Sequence, residues 1–357
     1  MVNPKVTIIQ VVYNNRKWIP AVFDAIYNQT FKDFKVVAVI SGNDDKSKEL
    51  IMEKYPQTEI IDPGYNIGFA KGHNLVFEKY CNPSLNPSPY EGRGGGEVEF
   101  FQLVNPDMIM EPNYVEEMLK AFKNEKVGAA TGKLYKISNF KFQISNFEKS
   151  RILDTTGVSI SKSGRARDRG KHEIDNHQYD NLTEVDGVSG AGCMYRAAAL
   201  QNIKYQISNI KFEFFDEDFH SYWEDVDLSW RLKNAGWKNV FVPSAVGYHG
   251  RTAGSSKGGY FKIISFIKHH QQLPERIRQL NYKNHIFMYI KNSPWFYPQF
   301  FIREFFMLVY IVLFEISTLK VLPEMFRLFS KMWKKRKRNK STSLRASDGL
   351  IKDHRAS

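Results

Sequence analysis

Residues 6–40 have the sequence VTIIQVVYNNRKWIPAVFDAIYNQTFKDFKVVAVI, and their pattern indicates the fold class. The β-branched run Val6–Val12 predicts a first strand. Apolar residues at helical spacing between 18 and 29 predict a helix, and Phe34–Ile40 predicts a second apolar strand. Short apolar strands separated by a helix of about ten residues are typical of a parallel sheet covered by helices.

The same alternation continues to residue 104. Segments 46–54 and 70–80 have helical patterns, and further strands are expected at 60–61 and 100–104. The predicted fold class is therefore α/β, with a mainly parallel sheet covered on both faces. In such sheets ligands bind beyond the carboxyl ends of the strands. We expect inserted surface loops at 82–97, which is rich in Pro, Gly and Ser, and at about 137–147.

Composition limits the classes of protein. The 357 residues are 42% hydrophobic and 25% charged, which excludes a mainly disordered chain. Cys81 and Cys193 alone cannot build a disulfide framework or a thiolate zinc site, so a reducing compartment is favoured. The N-terminus lacks a signal-peptide cleavage pattern, and we expect a cytoplasmic protein.

The C-terminal part differs from the α/β part. We expect an α/β domain over 1–265, an apolar helical region over 266–330 and a disordered basic tail over 331–357. The longest uninterrupted apolar run, 305–314, is too short to cross a bilayer. Such a helix can lie in the membrane interface, with the basic tail near anionic headgroups, or it can pack on the α/β domain.

The basic charge is concentrated in the tail, because 331–357 holds ten basic and two acidic residues. A peripheral location on the anionic cytoplasmic face of the cell membrane is the expectation that follows. Nucleic acid is not an expected partner, because the basic run has a single aromatic residue, Trp333, and no recognition helix.

Three polar clusters follow predicted strands. Tyr13 and Asn14 end the first strand. Residues 66–74 form a Gly-rich turn whose free amides suit a diphosphate, although a plain tight turn has the same composition. Asn105 and Asp107 end the fourth strand and offer oxygen ligands for Mg²⁺ or Mn²⁺; a turn started by Asx and Pro chemistry is the alternative.

The fourth cluster is the most specific. Glu224, Asp225 and Asp227 stand at the start of a predicted helix, where the helix dipole stabilises negative charge. Helix capping needs one such acid, so three acids suggest a general base. Downstream, His249 follows an apolar strand and offers an imidazole to a metal. Upstream, the small residues 187–192 suit the wall of a substrate groove.

In this order, the clusters resemble those of family 2 glycosyltransferases with the GT-A fold. The closest likeness is to the rhamnosyltransferase-like members of bacterial polysaccharide assembly, and it includes segment 164–170. The resemblance covers roughly residues 5–260. It implies an inverting transfer of a sugar from a nucleotide diphosphate to a hydroxyl of a glycan or a lipid-linked acceptor.

The resemblance also implies a role for each matching residue. Asp225 would be the catalytic base, with Glu224 beside it, and Asp107 with His249 would hold Mg²⁺ or Mn²⁺. Residues implied to bind the donor nucleotide are Tyr13, Asn14, Ser41, Asn43, Asn66, Gly68, Phe69, Gly72, Asn74 and Asn105. Residues implied to contact the acceptor or the sugar are Ser189, Gly190, Ala191, Trp223, Asp227 and Arg231.

One position departs from the family pattern. Ile40 stands where an acid that reads the nucleobase is expected after the second strand. Ser41 or Asn43 would then contact the base, and the choice between dTDP and UDP donors stays open. Two alternatives remain at this point: a nucleotidyltransferase on a similar sheet, and a membrane-bound protein that binds sugar nucleotides without catalysis.

Overall fold

The computed structural model describes residues 4–81, 98–137, 149–208, 211–251, 267 and 270–353, with side chains up to 341. The loops expected at 82–97 and about 137–147 lie outside the described residues, apart from Ile137. The strands are β1 (Val6–Val12), β2 (Phe34–Ile40), β3 (Glu59–Ile61), β4 (Phe100–Leu103), β5 (Met108–Met110), β6 (Val127–Lys136), β7 (Leu153–Thr155), β8 (Val158–Ile160), β9 (Ala166–Asp168), β10 (Glu184–Val185), β11 (Cys193–Arg196), β12 (Tyr205–Gln206), β13 (Phe212–Glu213) and β14 (Lys238–His249). The helices are α1 (Ile19–Tyr27), α2 (Ser47–Lys54), α3 (Gly68–Cys81), α4 (Tyr114–Ala121), α5 (Ala197–Ile203), α6 (Glu224–Asn234), α7 (Glu275–Asn292), α8 (Pro298–Phe314) and α9 (Leu322–Asp353).

One large sheet organises the α/β part. Its strand order is β10-β14-β6-β11-β4-β1-β2-β3, with β5 and β7 added at the side. The pairs among β1 to β4 and the β6–β14 pair are parallel, whereas β11 runs antiparallel between β4 and β6. The predicted mainly parallel sheet is confirmed, with antiparallel strands added in the second half.

The sheet separates two apolar cores, as its unbroken apolar strands require. On one face, α1 and α4 contribute Phe23, Ile26 and Tyr114. On the other face, α3, α5 and α6 contribute residues such as Phe77 and Leu228. Side chains alternate along each strand, so β1 sends Ile8 to the first core and Ile9 to the second.

The C-terminal helices share a third core with the α/β part. Val158 of β8 and Val226 of α6 cluster there with Phe287 of α7 and Met332 of α9. Helix α9 runs through the segment for which the sequence predicts a disordered tail, so that prediction is wrong for the described part. The physical reason is burial: Lys335 and Arg336 of α9 are 7% and 5% exposed and are hydrogen-bonded to the rest of the chain.

The apolar helices do not form a simple membrane span. Among the described residues, no single helix has the length and apolar character needed to cross a bilayer. Helix α8 meets that test only together with residues Ile316–Ser341, and the two parts are bent by 116°.

Candidate active site

A cleft of about 570 Å³ opens at the carboxyl ends of the central strands. This volume falls in the usual range for small-molecule sites. Ten sequence-predicted residues line it: Phe69, Asn105, Asp107, Ser189, Gly190, Ala191, Trp223, Glu224, Asp225 and His249. Ten others are not among the lining residues: Tyr13, Asn14, Ser41, Asn43, Asn66, Gly68, Gly72, Asn74, Asp227 and Arg231.

One side of the cleft holds a buried carboxylate–imidazole pair. Asp107 follows β4 and His249 ends β14, and the antiparallel pairing of β5 with β14 brings them together. The Nε2 atom of His249 lies 3.3 Å from Oδ1 of Asp107, and its Nδ1 atom lies 2.9 Å from Oδ2 of Asp154. The Asn105 side chain is 3.5 Å from Nε2 of His249.

This arrangement fits a divalent cation. Nδ1 of His249 is hydrogen-bonded to Asp154, which leaves Nε2 facing Asp107 and the cleft. Burial lowers the pKa of His249, but the carboxylates of Asp107 and Asp154 outweigh it and raise the pKa to about 9. The imidazole thus sits where the chain favours positive charge. Asp107, His249 and the Asn105 amide are oxygen and nitrogen donors suited to Mn²⁺ or Mg²⁺.

A second carboxylate stands at the first turn of α6. The Oδ2 atom of Asp225 accepts a hydrogen bond of 2.8 Å from the Gly190 amide, and its Oδ1 accepts one of 2.8 Å from the Val226 amide. A Cβ added at Gly190 would lie 3.3 Å from the Asp225 side chain, so a small residue there leaves the carboxylate in place. Ala191, in the same loop, accepts a hydrogen bond from the Asn105 amide. The 189–191 loop therefore connects Asp225 with the Asp107 side of the cleft.

The two adjacent acids differ in their surroundings. Burial raises the pKa of Asp225, although the two amide hydrogen bonds oppose this by favouring the carboxylate. Burial, with the nearby charge of Asp225, raises the pKa of Glu224 well above its ordinary value. Within the described part of the chain, Oε2 of Glu224 has no hydrogen-bond partner. Asp225 is therefore the acid better stabilised in its ionised form, with a raised pKa suited to a base.

The loop before α6 is held in an unusual backbone conformation. His220, Tyr222 and Trp223 have φ angles of 61°, 70° and 73°, in the left-handed region that side chains disfavour. The amide group of Asn284 on α7 donates to the carbonyl oxygens of Phe219, Ser221 and Tyr222. A residue of the C-terminal region thus fixes the loop that precedes Glu224 and Asp225.

Asp227 and Arg231 are buried away from the cleft, contrary to the acceptor role implied for them. Asp227 pairs with Arg231 at 3.0 Å and with Lys291 at 2.9 Å, and Arg231 also donates to two backbone carbonyls. Their spacing of four residues places both on the inner side of α6. They join α6 to α7 and cannot reach a sugar from there.

The predicted nucleotide contacts are largely engaged within the chain. Ser41 Oγ accepts from the Ile67 and Gly68 amides and donates to Asn66, and the Asn43 side chain bonds Glu49 and the Lys48 amide. The proposed replacement of the missing acid by Ser41 or Asn43 is therefore not supported by their contacts.

The turn before α3 has a structural explanation as well. Gly68 has a φ of 76°, and a Cβ there would lie 2.5 Å from the His220 ring. Gly72 packs on Val11, and buried Asn74 bonds the backbone at Phe214 and Phe215. Towards solvent, Asn14 exchanges hydrogen bonds with Asp44, and Tyr13 is 52% exposed. Tyr13 is thus a predicted donor contact that remains accessible.

Sequence reasoning missed several residues around the cleft. Asp154 orients His249, and Arg251 bridges Asp154 and Asp168 at 2.6 Å each. No local pattern singles out Asp154, because it lies in a three-residue strand far from His249 in sequence. Asn284 is missed because the carbonyl groups that it contacts lie more than 60 positions away in sequence. The segment noted at 164–170 was a usable signal, since Ala166, Arg167 and Asp168 line the cleft.

Two other acidic groups among the described residues have the spacing of a metal site. One comprises Asp175, His177 and Asp180, and the other Glu213, Asp216 and Asp218. In both, a lysine ammonium already serves as the cation: Lys133 lies 3.0 Å from Asp175 and 2.6 Å from Asp180, and Lys335 lies among the acids of the second group. Neither group lines the cleft.

The fold is that of GT-A glycosyltransferases. A crystal structure of GalNAc-T7 with UDP, GalNAc and Mn²⁺ aligns with a TM-score of 0.55 and 11% identity, covering 98% of this chain and 58% of that one. Residues 4–263 match the model of the family described as "Glycosyltransferase like family 2", and the chain belongs to this family. Membership in this family favours glycosyl transfer over the nucleotidyltransferase and non-catalytic alternatives.

Curated relatives agree with this assignment. The glycosyltransferase GlyA of Streptococcus pneumoniae serotype 4 is 22% identical over 221 residues, which are 58% of this chain and 26% of GlyA. An uncharacterized glycosyltransferase of Haemophilus influenzae is 24% identical over 130 residues, 35% of each chain. The matched part thus spans about a quarter to a third of these relatives. The predicted family is confirmed, and the rhamnosyltransferase-like subgroup stays a prediction.

Proposed function

We propose that this glycosyltransferase moves a hexose from a nucleotide diphosphate to a hydroxyl of a glycan or lipid-linked acceptor, with inversion at the anomeric carbon. The observation that carries the proposal is a single cleft lined by Asp107 with His249 and, beyond the 189–191 loop, by Asp225. One hexose with its diphosphate can contact both groups in a cleft of this volume.

In this reaction, Asp225 takes the proton of the acceptor hydroxyl. The acceptor oxygen forms a bond to the anomeric carbon as the bond from that carbon to the diphosphate breaks, so a single displacement inverts the configuration. The Gly190 and Val226 amides hold the Asp225 carboxylate in one orientation, which limits the cost of positioning the base.

Asp107 and His249 would hold a divalent cation, Mg²⁺ or Mn²⁺. When bound, the cation supplies positive charge that stabilises the leaving diphosphate. The Mn²⁺ in the GalNAc-T7 structure favours testing this ion first. Asp154 keeps His249 in the tautomer that a metal ligand needs, and Arg251 neutralises Asp154 from the other side.

For the substrates, we propose a dTDP- or UDP-linked donor carrying a rhamnose-like or other hexose. The support is the segment at 164–170, which carries the likeness to rhamnosyltransferase-like enzymes and in part lines the cleft. Phe69 and Trp223 supply aromatic walls against which the apolar face of a sugar can pack. Tyr13, exposed at the end of β1, suits the nucleobase.

The test begins with a screen of dTDP- and UDP-sugars for binding, followed by transfer assays with the donor that binds. Asp225→Asn should keep donor affinity and lose transfer by at least about 10²-fold, as expected for a positioned base. Asp107→Ala should abolish the Mn²⁺-dependent part of donor binding, measured by calorimetry with and without the ion. Asp33→Asn, an exposed change at the opposite edge of the sheet, is the control and should match the wild type.

The anomeric configuration of the product, determined by NMR, tests the stereochemistry. Retention of configuration, or full activity of Asp225→Asn, would contradict the proposed base. Donor binding that is unchanged by Mn²⁺ and by Asp107→Ala would contradict the metal role.

A further inference from the structure

Helix α8 presents its apolar residues to the outside. Of its 17 residues, only Phe300 and Ile311 are buried. Phe305, Phe306 and Leu313 are 63%, 65% and 67% exposed. A surface helix of a water-soluble domain has the opposite pattern, with a polar outer face.

The charged residues of this region face the protein instead. Arg303 and Glu304 are 19% and 15% exposed, and both contact His285 on α7. Glu315, at the end of α8, is 3% exposed and accepts a hydrogen bond of 2.7 Å from Tyr310. These charged groups are thus paired on the protein side, and the outer face of α8 is left without charge.

Helix α9 and the α7–α8 loop extend this outer face. The ring centroid of Phe296 lies 6.3 Å from that of Phe301 on α8 and 6.2 Å from that of Trp333 on α9. The rings of Trp333 and Phe329 are stacked, with centroids 6.2 Å apart. Trp295 is 71% exposed. We call the outward residues of α8, with these aromatic residues, the apolar face. A cluster of exposed apolar residues such as this marks an interaction site.

Positive charge borders the apolar face along α9. Arg327, Lys334 and Lys337 are exposed, and residues 325–341 contain no acidic residue. Aromatic rings next to a row of cations are typical of a surface that lies at a membrane interface.

We propose that the apolar face docks on a lipid bilayer with anionic headgroups, with α8 lying in the plane of the interface. With 17 residues, α8 is about 26 Å long, which is less than the hydrocarbon thickness, and the 116° bend to α9 prevents a straight span. A second copy of the chain is a poorer partner, because a two-fold contact through this face would bring the two basic rows together. This inference does not depend on the donor, the acceptor or the catalytic residues.

The test uses the full-length chain and sedimentation with vesicles. We expect binding to vesicles of phosphatidylcholine with phosphatidylglycerol, and weaker binding to phosphatidylcholine alone. The double variant Phe305→Ser/Phe306→Ser should lower the partition coefficient at least about 10-fold, because two exposed rings no longer enter the lipid. The matched control is Ile174→Ser/Leu182→Ser, two apolar residues that are 61% and 54% exposed on the α/β part and should have no effect.

A charge variant separates the electrostatic contribution to vesicle binding from the apolar contribution. Arg327→Gln/Lys334→Gln/Lys337→Gln should remove the preference for anionic vesicles while binding to phosphatidylcholine persists. Circular dichroism and the melting temperature of each variant confirm folding, and quenching of tryptophan fluorescence by lipids with brominated acyl chains reports insertion of Trp295 and Trp333.

Three results would overturn the proposal. One is absence of vesicle binding by the folded wild type, and another is binding that the Phe305/Phe306 variant leaves unchanged. The third is a stable dimer in light scattering that dissociates in this variant while vesicles are not bound, which would assign the face to a second copy. Loss of sugar transfer without loss of vesicle binding would concern the proposed function alone.

Discussion

Replacing Lys335 tests whether the C-terminal helix is an integral part of the fold. This residue lies in the segment for which the sequence predicts a disordered tail, yet its ammonium contacts Glu213 at 3.0 Å, Asp216 at 2.6 Å and Asp218 at 3.3 Å. Burial lowers the pKa of Lys335, but these carboxylates raise it by more. Lys335→Met keeps the length of the side chain and removes its charge.

The expected loss of stability follows from the partners that remain. Asp216 retains Lys291 at 2.5 Å, and Asp218 retains Lys331 at 2.6 Å. Only Glu213, which is 3% exposed, loses its one described cation. Removing one partner of a buried ion pair costs about 3–5 kcal/mol. Because Asp216 and Asp218 keep other cations, we expect Lys335→Met to lower the free energy of unfolding by about 3 kcal/mol.

The loss should depend on pH in a defined direction. Burial and the charge of Asp216 already raise the pKa of Glu213, and removal of Lys335 raises it further. A carboxyl group whose pKa is higher in the folded state binds its proton more readily there, so folding is favoured as the pH falls. The difference between Lys335→Met and the wild type should therefore be largest at neutral pH and should shrink under mildly acidic conditions.

Chemical denaturation monitored by circular dichroism at several pH values measures both effects. Lys337→Met is the matched control, because Lys337 is an exposed lysine on the same helix, and its effect should stay within about 0.5 kcal/mol. Equal stabilities of the two variants at neutral pH would refute the docked helix and support the disordered tail expected from the sequence.

Three further predictions concern the cleft. Asp154→Asn should weaken Mn²⁺ binding about 10- to 100-fold in calorimetry, because His249 loses the carboxylate that orients it; unchanged affinity would exclude this role. Asn284→Ala should lower kcat about 10- to 100-fold in a folded protein, because the loop before α6 loses its side-chain support. An unchanged kcat in this variant would show that the loop keeps its conformation without Asn284. In the wild type, the rate of transfer should decrease at low pH with an apparent pKa above 3.8, because burial raises the pKa of Asp225 and the base must be ionised. A pH profile without this decrease would contradict the role of Asp225 as the base.

The sequence allowed accurate prediction wherever local pattern determines structure. Expected and observed bounds of the first four strands and three helices differ by at most about two residues, since strand alternation and helical spacing are read over short windows. Asp107, Asp225 and His249 were found because each follows a recognisable apolar strand or begins a helix, and strand ends converge on one edge of the sheet.

Predictions that needed knowledge of the direction of a side chain were less successful. Asp227 lies two residues from Asp225 on the same helix, yet it points inward to Arg231 and Lys291. Ser41 and Asn74 were expected to face the donor, and both are buried and hydrogen-bonded to the backbone. A polar residue near a strand end can serve the ligand or the turn, and only its neighbours in space decide which.

The α/β fold, the family, and the presence of Asp107, His249 and Asp225 in the cleft could be predicted from the sequence. These features depend on periodicity and on residues at the ends of single elements. Tertiary structure alone decided that the basic helix α9 is docked, that Asn284 supports the loop before α6 and that the charged residues of α8 turn inward. Each of these facts rests on contacts between residues tens to more than a hundred positions apart. Such contacts cannot be predicted from a short sequence window, because a lysine that pairs with buried carboxylates cannot be distinguished there from a lysine that faces water.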